Sequence, residues 1–181
     1  MTALLTDRPP AGVDQPAPLG TELDRYHFTP DELVVHEPVR RSTIGAVIPA
    51  YNEGSTIKAV LKGLLRQTRV PDVVHVVVNN TSDRTFAKAS KLAGERTVRR
   101  RGVEQTTRVY VHDLGALPDK KVGALNYGFR LVQGADYLLG VDGDTVLAKD
   151  AVERLEAEMA SDPRIGGISA IYTVDLSLIH I

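Results

Sequence analysis

Asp142 and Asp144 stand one residue apart, with Gly143 between them, directly after the apolar run Tyr137, Leu138, Leu139, Gly140 and Val141. Extended chain alternates faces with period two, so residues 142 and 144 can present both carboxylates to one side. Hard oxygen donors of this kind suit Mg²⁺, Mn²⁺ or Ca²⁺. A small octahedral ion held by one or two carboxylates keeps positions open for phosphate oxygens of a substrate. Gly143 would let a ligand approach closely. The same residues also make a polar turn that closes a strand. The pair alone fits either reading, and the elements around it must choose.

Those elements alternate. From Thr43 onward, Ile44 to Ile48 forms a short apolar run stopped by Pro49, and Ile57, Val60, Leu61, Leu64 and Leu65 follow at helical spacing. This predicts a strand, a loop and an amphipathic helix. Val73 to Val78 is a second, β-branched strand, followed by Thr81 and Ser82 as candidate caps of a helix ending near Gly94. The polar segment from Glu95 to Thr107, with Arg99, Arg100 and Arg101, is expected to be a solvated loop rather than a phosphate or acceptor clamp. Arg108 to Val111 is a third strand. A helix with Val122, Leu125, Phe129 and Val132 inward ends at Gly134. The fourth strand, 136–141, carries the aspartates. A helix with Val152, Leu155 and Met159 inward follows, and a fifth strand is expected over Ile165 to Tyr172. Such alternation implies an α/β fold, a mostly parallel sheet with helices on both faces, which binds ligands beyond the carboxyl ends of its strands.

Composition narrows the function classes. The chain has 181 residues, 43% hydrophobic and 25% charged, with 22 Lys plus Arg against 23 Asp plus Glu. That suffices for one domain with a sizeable core. A net charge of -1 offers no global attraction to nucleic acid or to an anionic membrane, so an anion site must be local. The absence of cysteine removes disulfides and thiolate metal sites and fits a reducing cytoplasm. No apolar stretch reaches membrane-spanning length. Residues 1–20, rich in proline, are expected to be a disordered tail, and 21–42 an N-terminal extension whose Thr29, Pro30, Asp31 and Glu32 resemble a helix start.

By the strand-end rule, Pro49, Ala50, Tyr51, Asn52 and Glu53 share one sheet edge with Asn79, Asn80, Thr81, Ser82 and Asp83 and with the aspartates. The first loop lacks the closely spaced glycines of a dinucleotide fingerprint, which argues against a nicotinamide or flavin enzyme. Tyr51 can instead contact a flat base, Glu53 can accept from ribose hydroxyls or a base imino group, and the Asn80 amide can both donate and accept. Each also has a structural reading: Asn52 as a cap, Tyr51 as a core aromatic, Asn80 as a turn former. Their joint placement outlines a nucleoside pocket.

These residues resemble the family 2 glycosyltransferases of the GT-A fold. The likeness rests on Val47 to Glu53, on Val76 to Asp83, on Lys121 to Asn126, and on Asp142, Gly143 and Asp144, in order and spacing across residues 43 to 175. It implies a GT-A, Rossmann-like, mostly parallel sheet flanked by helices, incomplete at the C-terminus, with 43–175 as the nucleotide-sugar-binding part. It also implies a hexosyl- or N-acetylhexosaminyl-transferase of polysaccharide and cell-envelope biosynthesis. The donor would be a nucleotide-diphosphate sugar, a UDP-sugar being favoured, and the acceptor a glycan or lipid-linked hydroxyl. Donor contacts implied by the likeness are Pro49, Ala50, Tyr51, Asn52, Glu53, Asn80, Ser82, Asp83, Lys121, Asn126, Asp142 and Gly143. Asp144, with Asp142, would hold Mn²⁺ or Mg²⁺. Many relatives carry an acid where this chain has Asn80, so the identity of the base stays open.

In such a transferase the ion stabilises charge on the departing nucleoside diphosphate, and an acceptor hydroxyl attacks with inversion, assisted by a general base. The resemblance puts that base downstream of Ile181, so a fragment that binds donor without turning over is expected, cytoplasmic or at the cytoplasmic face of a membrane reached through segments outside this chain. Leu176 to Ile181 corresponds to one reading frame of the transposon-end adapter used in preparing sequencing libraries, and residues 176–181 are expected to be non-native, leaving His180 without a role. A Mg²⁺-dependent phosphohydrolase also uses Asp-x-Asp, but its nucleophile normally follows the first core strand. Sugar-nucleotide-forming nucleotidyltransferases open with a Gly- and Arg-rich loop that residues 49–54 lack.

Overall fold

A computed structural model describes residues 40–170. The chain divides into Met1–Arg40 and Arg41–Ile181, and the elements below belong to the second unit. The expected tail, most of the N-terminal extension, Tyr172 and the segment 176–181 lie outside the described residues. In chain order the elements are β1 (Ile44–Ala50), α1 (Ile57–Leu65), β2 (Val73–Val78), α2 (Thr85–Ser90), β3 (Gly94–Arg100), β4 (Val103–Asp113), α3 (Lys120–Leu131), β5 (Tyr137–Gly140) and α4 (Ala151–Ser161). They build one five-stranded sheet in the order β3-β4-β2-β1-β5. β1 pairs in parallel with β2 and β5, and β2 in parallel with β4, while β3 is antiparallel to β4. None of the described helices is long and apolar enough to cross a membrane.

The β-branched runs become β1 and β2, buried on both faces, as central parallel strands must be. Ile44, Ala46, Ile48, Val74, Val76 and Val78 face one core. Ile57, Val60, Leu61 and Leu64 of α1 pack there with Val152 of α4. The i, i+3, i+4, i+7 spacing of the α1 residues supplies that stripe. Val47 and Val77 face the other side, against Ala124 of α3 and Val132.

Four parts of the chain depart from the sequence expectation. First, residues 95–107, expected as a loop, belong to a β3-β4 hairpin over 94–113, and the expected strand Arg108 to Val111 is the latter part of β4. The connection Arg101-Gly102 has positive φ at both residues (48° and 82°), as the two-residue hairpin turn requires. Only one face of β4 needs covering, so Gln105, Thr107 and Val109 are buried and the residues between them are exposed and polar. Charged side chains on β3 suit an edge strand. Second, of the residues expected inward on α3, Leu125 and Phe129 pack against the core beside Ala124 and Val132 is buried just past the helix end, whereas Val122 is 61% exposed. A Cβ on Gly128 would lie 2.3 Å from Val47 Cγ1, and one on Gly45 would lie 2.6 Å from Val132 Cβ. Helix and strand interlock valine into glycine, a close approach that seats Ala124 and Gly128 deepest and leaves Val122 outside. Third, residues 165–170 form no strand and pair with no described strand. Gly166 and Gly167 bring no side chains to pack, and they line a lateral cavity with β5 and α4. The α2 helix also begins later than expected, at Thr85, where Asp83 rather than Thr81 or Ser82 accepts from the Thr85 N–H at 2.8 Å.

Candidate functional site

The carboxyl ends of β1, β2 and β5 point to one edge, where a cavity of about 520 Å³ opens. Pro49, Ala50, Tyr51 and Glu53 line it from β1 and its loop, and Asn79 and Asn80 from the end of β2. Lys120 and Lys121 contribute from the start of α3, and Asp142, Gly143 and Asp144 from the loop after β5. Asn52 (φ 53°) and Asn80 (φ 52°) each stand two residues past a strand end, in the left-handed region that Asn tolerates better than most side chains. Both turn the chain off the sheet.

Each asparagine then ties down a neighbouring loop. Asn52 Oδ1 accepts from the Ser82 N–H at 2.9 Å, and the Asn52 N–H donates to Thr81 Oγ1 at 3.1 Å. Asn80 Oδ1 accepts from Asn79 Nδ2 at 2.7 Å and from the Leu117 N–H at 3.1 Å, and the Asn80 N–H donates to the Gly115 carbonyl at 2.7 Å. The structural and the ligand-facing readings of Asn80 are therefore compatible. Its oxygen holds the loop between β4 and α3, and its residue lines the cavity.

Ser82, Asp83, Asn52 and Asn126 do not line the cavity. Asp83 Oδ2 accepts from the Gly54 N–H at 2.8 Å, its Oδ1 takes the Thr85 hydroxyl and N–H, and Lys88 Nζ donates to the Gly54 carbonyl. The Thr85 hydroxyl, chiefly, holds the Asp83 carboxyl below the usual range, helped by the Thr85 and Gly54 amides and by Lys88. Asp83 thus braces the first loop from behind. Asn126 follows Lys121 by five residues in α3, which at about 100° per residue turns it far from the edge that Lys121 occupies. It lies on the exposed side of the helix. Arg99, Arg100 and Arg101 sit at the opposite edge of the sheet. There Arg100 donates to the Leu65 carbonyl at 3.1 Å and the Gln67 carbonyl at 3.3 Å at the end of α1, and Arg101 pairs with Glu153 at 2.6 Å.

Gly143 is required by the protein's own packing. A Cβ there would meet Glu53 Cγ at 2.9 Å and the Pro49 carbonyl oxygen at 3.1 Å. Lys121 Nζ lies 2.6 Å from Asp142 Oδ1, both groups partly exposed. Among the described residues no three or more His, Cys, Asp or Glu side chains gather into a metal cage. Two carboxylates in a turn, one already facing an ammonium, fit a hard divalent ion shared with a diphosphate and do not fit a closed all-protein site. Asn79, placed on this edge by its position after β2, lines the cavity, whereas Lys120 and Thr56 belong to this region without having been singled out by their sequence. Lys120 adjoins Lys121, and nothing in the local pattern marks Thr56.

A family model described as Glycosyl transferase family 2 matches residues 46–179. The crystal structure of S. aureus TarS superposes with a TM-score of 0.52 at 20% identity, covering 65% of this chain and 19% of TarS. A crystal structure of S. aureus TarS 1-349 in complex with UDP gives a TM-score of 0.47 at 20% identity, over 65% of this chain and 32% of that one. At this identity the likeness to TarS is one of fold. No curated protein matches the chain.

Proposed function

Because this chain belongs to glycosyl transferase family 2, we propose that its cavity at the strand ends is the donor site of a transferase. The reaction moves a sugar from a nucleoside diphosphate sugar to an acceptor hydroxyl with inversion. The observation that carries this reading is the joint lining of one cavity by the Pro49 to Glu53 loop, Asn80, Lys121 and the Asp142 to Asp144 turn. Tyr51, 60% exposed, offers an aromatic face to a base. Glu53 offers an acceptor carboxylate to imino or ribose hydroxyl protons. Asn80 keeps its oxygen for the protein and offers amide N–H donors, where an acid would offer a second acceptor. A base or sugar acceptor atom is the matching partner.

Lys121 would exchange Asp142 for a phosphate oxygen when the diphosphate enters. The partly exposed ion pair is worth at most about 1 kcal/mol, so little opposes the exchange. Asp144, with Asp142, would hold Mn²⁺ or Mg²⁺. Bound there, such an ion supplies Lewis-acid stabilisation of the leaving diphosphate. The protein's own part is to orient the nucleoside against the first loop and to set Lys121 and the carboxylates along the phosphates.

Calorimetry with UDP and GDP, each with and without Mn²⁺, tests the reading. Metal-dependent binding of one nucleotide over the other is expected, with UDP favoured. Absence of metal-dependent binding of either would overturn it.

A further inference from the structure

We infer that Thr56 is a positioning residue that couples the nucleoside side of the cavity to its carboxylate side, an inference that rests on the donor-site reading. Thr56 is the N-cap of α1, yet its side chain makes no capping hydrogen bond to the helix. Its hydroxyl lies 2.7 Å from Glu53 Oε2, 3.0 Å from the Gly143 carbonyl oxygen and 3.3 Å from the Glu53 carbonyl oxygen. All three are acceptors and the hydroxyl has one proton, so that proton is shared between the loop after β1 and the turn after β5. Glu53 Cγ occupies the space that a Cβ at residue 143 would need, which presses the Glu53 stem onto Gly143 while Thr56 holds its carboxylate.

Glu53, Gly143 and Thr56 therefore form a three-residue clamp with the hydroxyl at its centre. A nucleoside diphosphate is gripped at one end by residues 49–53 and at the other by Lys121 and residues 142–144. It gains from both grips only if their spacing is held before it arrives. A Thr N-cap normally stabilises its helix. Here the hydroxyl has been given to the site, which separates the two roles experimentally.

Thr56→Val keeps the shape and removes the hydroxyl, and Thr56→Ser keeps the hydroxyl. In the ligand-free protein, hydrogen exchange of Thr56→Val should speed up both around residues 51–56 and at 143–145, while Thr56→Ser stays near wild type. The gain in UDP affinity on adding Mn²⁺ should shrink about 10-fold in Thr56→Val and be retained in Thr56→Ser, within the usual range of coupling between sites. Exchange that changes only in the first loop, or a Thr56→Val protein with the wild-type Mn²⁺ gain, overturns the coupling. If wild-type protein shows no Mn²⁺-dependent binding of either UDP or GDP, the donor-site reading falls instead, and the exchange measurement alone decides whether Thr56 links the two loops.

Discussion

Asp142 and Asp144 occupy the same turn in different electrostatic settings. Asp142 faces the Lys121 ammonium at 2.6 Å, whereas among the described residues the Asp144 carboxylate receives a long contact from the neighbouring Thr145 hydroxyl at 3.4 Å. Asp144→Asn should abolish Mn²⁺-dependent UDP binding, and Asp142→Asn should weaken it several-fold, because the amide still accepts from Lys121 but no longer balances its charge. Titration calorimetry separates the two, and wild-type binding by both variants would reduce the pair to a polar turn. A second residue-scale expectation concerns His75. Its ring stacks on Tyr110 and His112, its Nδ1 lies 2.9 Å from His112 Nε2, and Tyr127 meets His112 edge-on. Burial first, then the neighbouring His112, pushes the His75 pKa down to about 4 from 6.5. The unfolded chain then binds the proton more tightly than the folded one. Stability is full above pH 6.5 and falls by up to ~3 kcal/mol as pH drops toward 4. Urea titrations between pH 7 and 4.5 should show that slope, and His75→Phe should reduce it, leaving the share of His112, whose pKa burial also lowers.

At the scale of elements, packing refined the expected face of α3. Leu125, Phe129 and Val132 lie on the core side as their spacing predicts, but Ala124 and Gly128 sit deepest, because Val47 needs the room that a side chain at 128 would take, and Val122 is left exposed. Gly128→Ala gains about 1 kcal/mol of helix propensity. It also forces a buried methyl into Val47, at a cost of about 1–3 kcal/mol or more. Net destabilisation is expected, and Val47→Ala in the same chain should recover part of it, as a double-mutant cycle in urea would show. The hairpin was hidden for a related reason. Strands are recognised by apolar alternation, and β4 alternates with Gln105 and Thr107 as inward residues. Arg101-Gly102 between two alternating segments was the local signal available. By contrast β1, α1 and β2 were legible because their own apolar residues pay the cost of ordering them without help from a partner's shape.

Across the whole molecule, the edge opposite the cavity is stapled by Arg69, 5% exposed. Its guanidinium pairs with Asp72 at 2.9 Å and Glu156 at 3.0 Å and donates to the Ser42 carbonyl at 2.7 Å, while Asp72 Oδ2 accepts from the Ile44 N–H at 2.7 Å. One side chain thus joins the starts of β1 and β2 to α4. Arg69→Met leaves two carboxylates without their cation and should cost about 3 kcal/mol. Because the staple and the cavity lie at opposite strand ends, the UDP affinity of the folded protein should stay within about two-fold of wild type. Denaturation and calorimetry on one preparation check both halves. The succession of β1, α1, β2, α3, β5 and α4, the cavity edge, and the residues that directly follow β1, β2 and β5 were determined by the sequence alone. Local apolar period and strand ends suffice for those. The hairpin, the seating of α3 on Ala124 and Gly128, the bracing role of Asp83, the exclusion of Asn126 and the link through Thr56 were decided only by tertiary structure. Each depends on which distant chain segment fills the space beside it, and that is a property of packing rather than of local pattern.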